Sequence, residues 1–133
     1  TDANFNRESY ANLENQLLLT RDTMIWFWDH YLPDPSRRAH PDASPLQTPD
    51  LSNLPPATIL TAEHDVLRDE GEAYATRLQE SGVPTEFHRY SGQMHGFFTL
   101  LMLPGSELGF QQVVKAVKAC IVKTKRTQHL ISR

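Results

Sequence analysis

"ATILTAEHDVLRDEGEAYATRLQESGVPTEFHRY", residues 57–90, decides the fold. Its first six residues, 57–62, are apolar or β-branched, the composition of a buried strand. "EHDVLR" then reads as a loop. Asp69 stands where an N-cap would, with Glu72 three residues on, and Gly71, Tyr74, Ala75 and Leu78 share one face of the helix that follows. Gly82 ends that helix, with Val83 and Pro84 behind it. "TEFHRY", 85–90, alternates polar and apolar residues as a second strand. A strand, a helix and a strand in this order predict a β-α-β unit with parallel strands, and therefore an α/β fold.

The flanks add helices on both sides. Leu17, Leu18 and Leu19 form a short apolar anchor after a polar start. Thr20 can cap "RDTMIWFWDHYL", 21–32, with Asp22 in the first turn, where the helix dipole favours an acid. Met24, Phe27, Trp28 and Tyr31 fall at helical spacing, and Ile25, Trp26 and Leu32 widen that stripe nearly all round. Seven of the nine prolines lie in residues 33–56, which marks a long, stiff, ordered connection. Beyond residue 90 come a loop, "YSGQMHGFF", and a last helix opened by Pro104–Ser106, with Ser106 as N-cap. Phe110, Val113, Val114, Val117, Cys120 and Ile121 form its stripe, and a frayed basic tail, "KTKRTQHLISR", follows.

Composition narrows the classes. A length of 133 residues suits one small domain, and 39% hydrophobic with 22% charged residues suits a folded chain. A net charge of −3 gives no footprint for nucleic acid. No apolar run approaches the ~18 residues of a membrane span. A single cysteine, Cys120, cannot form an intramolecular disulfide. With no visible signal peptide, it points to a cytoplasmic setting.

The β-α-β reading has a chemical consequence. Two adjacent parallel strands end at the same sheet edge ~4.8 Å apart, so the loops leaving them meet. Asp65 lies in the first of these loops and His95 in the second. They therefore share the carboxyl edge, where open α/β sheets bind ligands. An Asp accepting from one imidazole nitrogen fixes the tautomer and leaves the other nitrogen free to take a proton from a nucleophile.

Plainer roles compete. A lone loop histidine is most often simply exposed, and a lone Asp is most often a turn residue. Asp69 competes as the acid but has a sufficient role as a cap, and His64 sits beside Asp65. His30, His40, His88 and His129 show no metal-ligand spacing, so neither a metal nor a cofactor is expected. Trp26 and Trp28 fit packing better than a cation cage.

A nucleophile is missing. A serine hydrolase of this architecture needs G-x-S-x-G on a strand-to-helix elbow, and the nearest strings are "GQMHG" and "GSELG". No Gly-rich oxyanion segment or phosphate loop is present either.

"HPDASPL" (40–46), "LPPATILTAEHDVLRDEGEAYATRLQESGVP" (54–84) and "MHGFF" (94–98) closely resemble the C-terminal third of the bacterial hormone-sensitive-lipase-like esterases, an α/β-hydrolase family. "LLLTRDTMIWFWDHYL" (17–32) resembles that family's cap-adjacent helix. The likeness covers roughly residues 5–122, and D-x-L-R-D-E-G with H-G-F thirty residues on is its most specific part. The resemblance implies that Asp65 is the triad acid and His95 the base. In this fold the chain order is Ser, then acid, then His, which puts the missing Ser upstream of Thr1. Val66 departs from the family's usual Pro, a change that loosens the loop slightly.

The resulting expectation is the C-terminal part of an α/β-hydrolase, with the N-terminal strands and nucleophile elbow absent from this chain. Residues 1–133 form one segment of a single domain. Residues 1–56 hold the cap-adjacent helix and Pro-rich connection, and 57–126 a β-α-β-α unit carrying the acid and the base. The expected activity is carboxylester hydrolysis of short- to medium-chain acyl esters, with Phe97, Phe98, Met24 and Trp28 as candidate pocket residues. Expected partners are a small-molecule ester, an upstream segment of the same protein, and a second copy pairing at the strand edge. The alternative is a catalytically silent binding module of the same fold. An oligopeptidase-type serine peptidase is a third reading, against which "RDEGEAYATRL" argues.

Overall fold

The computed structural model describes the backbone of residues 1–131 and the side chains of residues 1–121. Among these, the regular elements are α1 (Glu8–Ala11), α2 (Arg21–Tyr31), β1 (Ala57–His64), α3 (Arg68–Glu80), β2 (Thr85–Met94) and α4 (Ser106–Ile131), with short 3-10 turns between them. The chain forms two compact units, Thr1–His95 and Gly96–Arg133.

In the first unit β1 and β2 are parallel neighbours, joined by α3 as the sequence predicts. The register runs evenly from Ala57 opposite Thr85 to Ala62 opposite Tyr90, then jumps to His64 opposite Met94. Glu63 alone thus faces three residues of β2, Ser91, Gly92 and Gln93, in a bulge. Both strands outrun the sequence reading, which ended them at Ala62 and Tyr90. The bulge breaks the alternation that marks a strand, yet the ladder resumes beyond it.

α3 starts differently from the expectation. Leu67 occupies the N-cap position with no side-chain cap, and Asp69 lies inside the first turn. Its carboxylate instead accepts the Ser9 N–H at 2.7 Å and the Arg68 Nε–H at 3.0 Å. Glu72 turns to the sheet, accepting from Thr61 and pairing with the Arg89 guanidinium of β2. At the other end the Val83 N–H reaches Leu78 O at 2.9 Å and the Gly82 N–H reaches Gln79 O at 3.0 Å, the paired bonds of a Schellman stop. Leu78 and Val83 close over Leu51 in one buried cluster.

Tyr10, Leu19 and Val66 form a second cluster, with Phe5, Met24 and Leu67 against it. Of the leucine anchor only Leu19 is buried, and Leu17 and Leu18 face outward. Thr20 caps α2 as predicted, its hydroxyl accepting the Thr23 N–H at 3.1 Å. Trp28 is buried, whereas Trp26, Phe27 and Tyr31 are exposed, so the wide α2 stripe is covered on one side only. The Pro-rich connection is held by two arginines. Arg38 donates to Leu32 O at 2.9 Å and pairs with Asp29 at 2.7 Å, and the Arg77 guanidinium donates to the carbonyls of Leu46 and Thr48.

In the second unit Phe97 is buried, and a Cβ added at Gly109 would stand 2.7 Å from its ring. Ser106 is the first residue of α4 rather than its cap, and its hydroxyl donates to Leu101 O at 3.3 Å. Phe110, Val117 and Ile121 of the predicted stripe are exposed. α4 runs on to Ile131, through a stretch the sequence reading took for a frayed tail. Lys, Arg, Gln and Leu in that stretch are all strong helix formers. Ser132 and Arg133 lie outside the described residues. Among the described residues no helix is long and apolar enough to cross a membrane.

Candidate active site

β1 ends at His64 and Asp65 follows directly; β2 ends at Met94 and His95 follows directly. Because the strands are parallel and adjacent, both residues leave the sheet at one edge. Asp65 Oδ2 lies 2.9 Å from His95 Nδ1. A carboxylate only accepts, so Nδ1 carries a proton, and in the neutral imidazole Nε2 then holds the lone pair. The bond to Asp65 raises the proton affinity of His95 above that of an ordinary histidine, against the opposing effect of burial.

Asp65 is fixed from three directions. Its other oxygen, Oδ1, accepts the Leu67 N–H at 2.9 Å. Its carboxylate is buried, while the His95 side chain is 38% exposed. The next residue, Val66, has no exposed surface, and its carbonyl accepts the Ser9 hydroxyl at 2.7 Å. A loop expected to be loosened by Val in place of Pro is therefore pinned by a core side chain and a hydrogen bond.

Asp69, the rival acid, faces Ser9 and Arg68 rather than His95. Burial works to raise its carboxyl pKa, but the Ser9 amide and the Arg68 guanidinium outweigh it and hold it below the ordinary range. His64 Nε2 stands 4.0 Å from a Glu63 carboxylate oxygen. Glu70, in the same R-D-E-G run, is buried and accepts the Tyr10 hydroxyl and the Asp2 N–H, each at 3.2 Å. Among the described residues, no group of three or more His, Cys, Asp or Glu side chains is gathered as a metal ion needs.

Of the four candidate pocket residues, Met24 and Trp28 line a cavity of about 240 Å³ together with Phe27, Tyr31, Leu67 and Glu70. Leu67 places this cavity two residues along the chain from Asp65. Phe97 and Phe98 belong to the second unit, where their rings meet edge to face at 5.9 Å between centroids. The sequence reading missed Ser9, Glu63 and the burial of Val66. A serine in a polar start carries no periodic signal, and Val66 reads as an ordinary loop residue.

Comparison with known proteins gives the fold its relatives. A family profile described as alpha/beta hydrolase fold matches residues 1–99. The carboxylic ester hydrolase LipN of Mycobacterium tuberculosis is 39% identical over 122 residues, 90% of this chain and 32% of that protein. The ethyl acetate hydrolase of Pseudomonas putida is 34% identical over 119 residues, 89% of this chain and 37% of that protein. Among solved structures, one from a study of two esterases of Rhizomucor miehei aligns with a TM-score of 0.80 at 41% identity, over 97% of this chain and 40% of that chain. The chain spans between 22% and 37% of the length of the curated relatives first matched. The parallel pair, its crossover helix and the profile matched over most of the sequence agree, and the chain belongs to the α/β-hydrolase fold family.

Proposed function

We propose that this chain is the acid- and base-bearing C-terminal part of a carboxylester hydrolase acting on short- to medium-chain acyl esters. The 2.9 Å contact between Asp65 and His95 carries this reading. A serine supplied by sequence upstream attacks the ester carbonyl. His95 Nε2 accepts the serine proton and later delivers it to the leaving alkoxide, so that an alcohol departs. Asp65 holds the imidazole in the required tautomer and stabilises the imidazolium that forms. Met24 and Trp28, in the cavity beside the acid loop, are the candidate acyl or alcohol contacts.

The names of the relatives, a carboxylic ester hydrolase and an ethyl acetate hydrolase, support the ester class. The deciding experiment is to read the gene upstream of Thr1, express the whole protein and assay aryl esters of increasing acyl length. A G-x-S-x-G elbow, with turnover that falls roughly 10⁴-fold in Asp65→Asn, is the expected result. An elbow without its serine and no turnover would favour the silent binding module instead.

A further inference from the structure

At the bulge, one residue of β1 does what the missing ladder bonds cannot. Glu63 faces Ser91, Gly92 and Gln93, where the regular register has lapsed. Its Oε2 accepts the Gly92 N–H at 2.7 Å. A carboxylate accepting a backbone amide makes a short, charge-assisted bond, stronger than a neutral one. Gly92 has φ +69°, a left-handed conformation that side chains resist, and an added Cβ there would meet nothing within 4 Å. Its turn is thus set by the backbone and by Glu63, with no packing of its own. Gly92 stands three residues before His95, and Glu63 two residues before Asp65.

Glu63 is itself held. Its carbonyl accepts from Arg68 Nη1 at 3.0 Å, and Arg68 is paired with Asp69 at the start of α3. Glu63 therefore joins the β1 end to the first turn of α3 through its carbonyl and Arg68, and to the bulge that delivers the histidine through its side chain. We propose that Glu63 is a positioning residue: by anchoring the Gly92 amide it sets the height at which β2 releases His95 against Asp65. The proposal rests on the reading of Asp65 and His95 as acid and base. Glu63 itself touches neither substrate nor the reacting atoms.

The consequence is measurable at the imidazole. The raised proton affinity of His95 traces to Asp65, through a bond that tolerates little displacement. Releasing Gly92 lets His95 drift from Asp65. Its titration then moves down towards that of an ordinary histidine, and the Nδ1–H tautomer loses its dominance.

The test is the titration and tautomer state of His95, read by nitrogen-15 NMR of the imidazole in the wild type and in Glu63→Ala, Glu63→Gln and Asp65→Asn. Glu63→Ala is expected to lower the His95 midpoint and to mix in the Nε2–H form. Glu63→Gln keeps an acceptor oxygen without the charge and is expected to restore most of both. Identical titrations in the wild type and Glu63→Ala would overturn the proposal. An equal drop in the Ala and Gln variants would also overturn it, since the effect would then be one of charge alone. Asp65→Asn separates the two layers. A drop there without one in Glu63→Ala sinks the positioning role and leaves the acid–base pair standing, whereas no drop in Asp65→Asn sinks the pair.

Discussion

Asp65 takes the Nδ1–H of His95 at 2.9 Å across the ends of two paired strands, and the two residues are 30 positions apart in sequence. The bond favours the imidazolium, so the folded-state pKa lies above the unfolded value near ~6.5. The sign of the pH dependence follows. The contribution of the pair to stability is fully present below the unfolded value and is lost as pH rises through the folded one. Denaturant midpoints measured across this window should show that loss in the wild type and lack it in Asp65→Asn.

The 133-residue chain by itself is expected to show no esterase activity above a buffer control, since its sequence holds no G-x-S-x-G elbow and no Gly-rich oxyanion segment. An aryl acetate assay on the purified chain checks this. Turnover that disappears in His95→Ala would mean that a nucleophile lies within these residues.

Val66 has no exposed surface and packs with Tyr10 and Leu19. Val66→Ala removes two buried methyl groups and should cost about 2 kcal/mol, from lost burial and the cavity left behind. Because Asp65 is the preceding residue, the same variant should broaden the His95 resonance. Equilibrium unfolding and the imidazole spectrum give the two readouts.

These assignments show which parts of the molecule were legible in the sequence. Strand β1, the α3 face with Leu78, the Gly82 stop and the Thr20 cap are local patterns, and local patterns follow from periodicity and turn chemistry. The end of β2 was not legible, because Ser91–Gly92–Gln93 breaks the alternation while the strand continues beyond it. The N-cap at Asp69 was misread because its carboxylate finds Ser9, sixty residues away in sequence. No spacing rule sees such a partner. The approach of Asp65 to His95 followed from topology alone, since adjacent parallel strands must end together. The partners that hold Asp65, Ser9 through Val66 and Leu67 through its amide, needed the folded chain.

Gly109→Ala tests the second unit. The added Cβ would stand 2.7 Å from the Phe97 ring and 3.0 Å from Phe98 Cβ, so the buried ring must shift. A destabilisation of about 1–3 kcal/mol is expected by denaturant titration, the range for an overfilled core. A neutral result would place the Phe97 ring away from α4 in solution.

Among the described residues the sheet has two strands, so the edge of β1 away from β2 has no strand beside it. Unpaired edges template association. The isolated chain should elute as a dimer or larger species in size-exclusion chromatography with light scattering. A cooperatively melting monomer would show that neither an upstream strand nor a second copy is needed.

The two strand ends also bear on when Asp65 and His95 come together. Closing a loop of 30 residues costs about 3 kcal/mol in chain entropy beyond a constant. Pairing β1 with β2 through α3 already closes that loop, so Asp65 and His95 meet at almost no additional entropic cost. Their encounter is therefore closed by one supersecondary unit, residues 57–95.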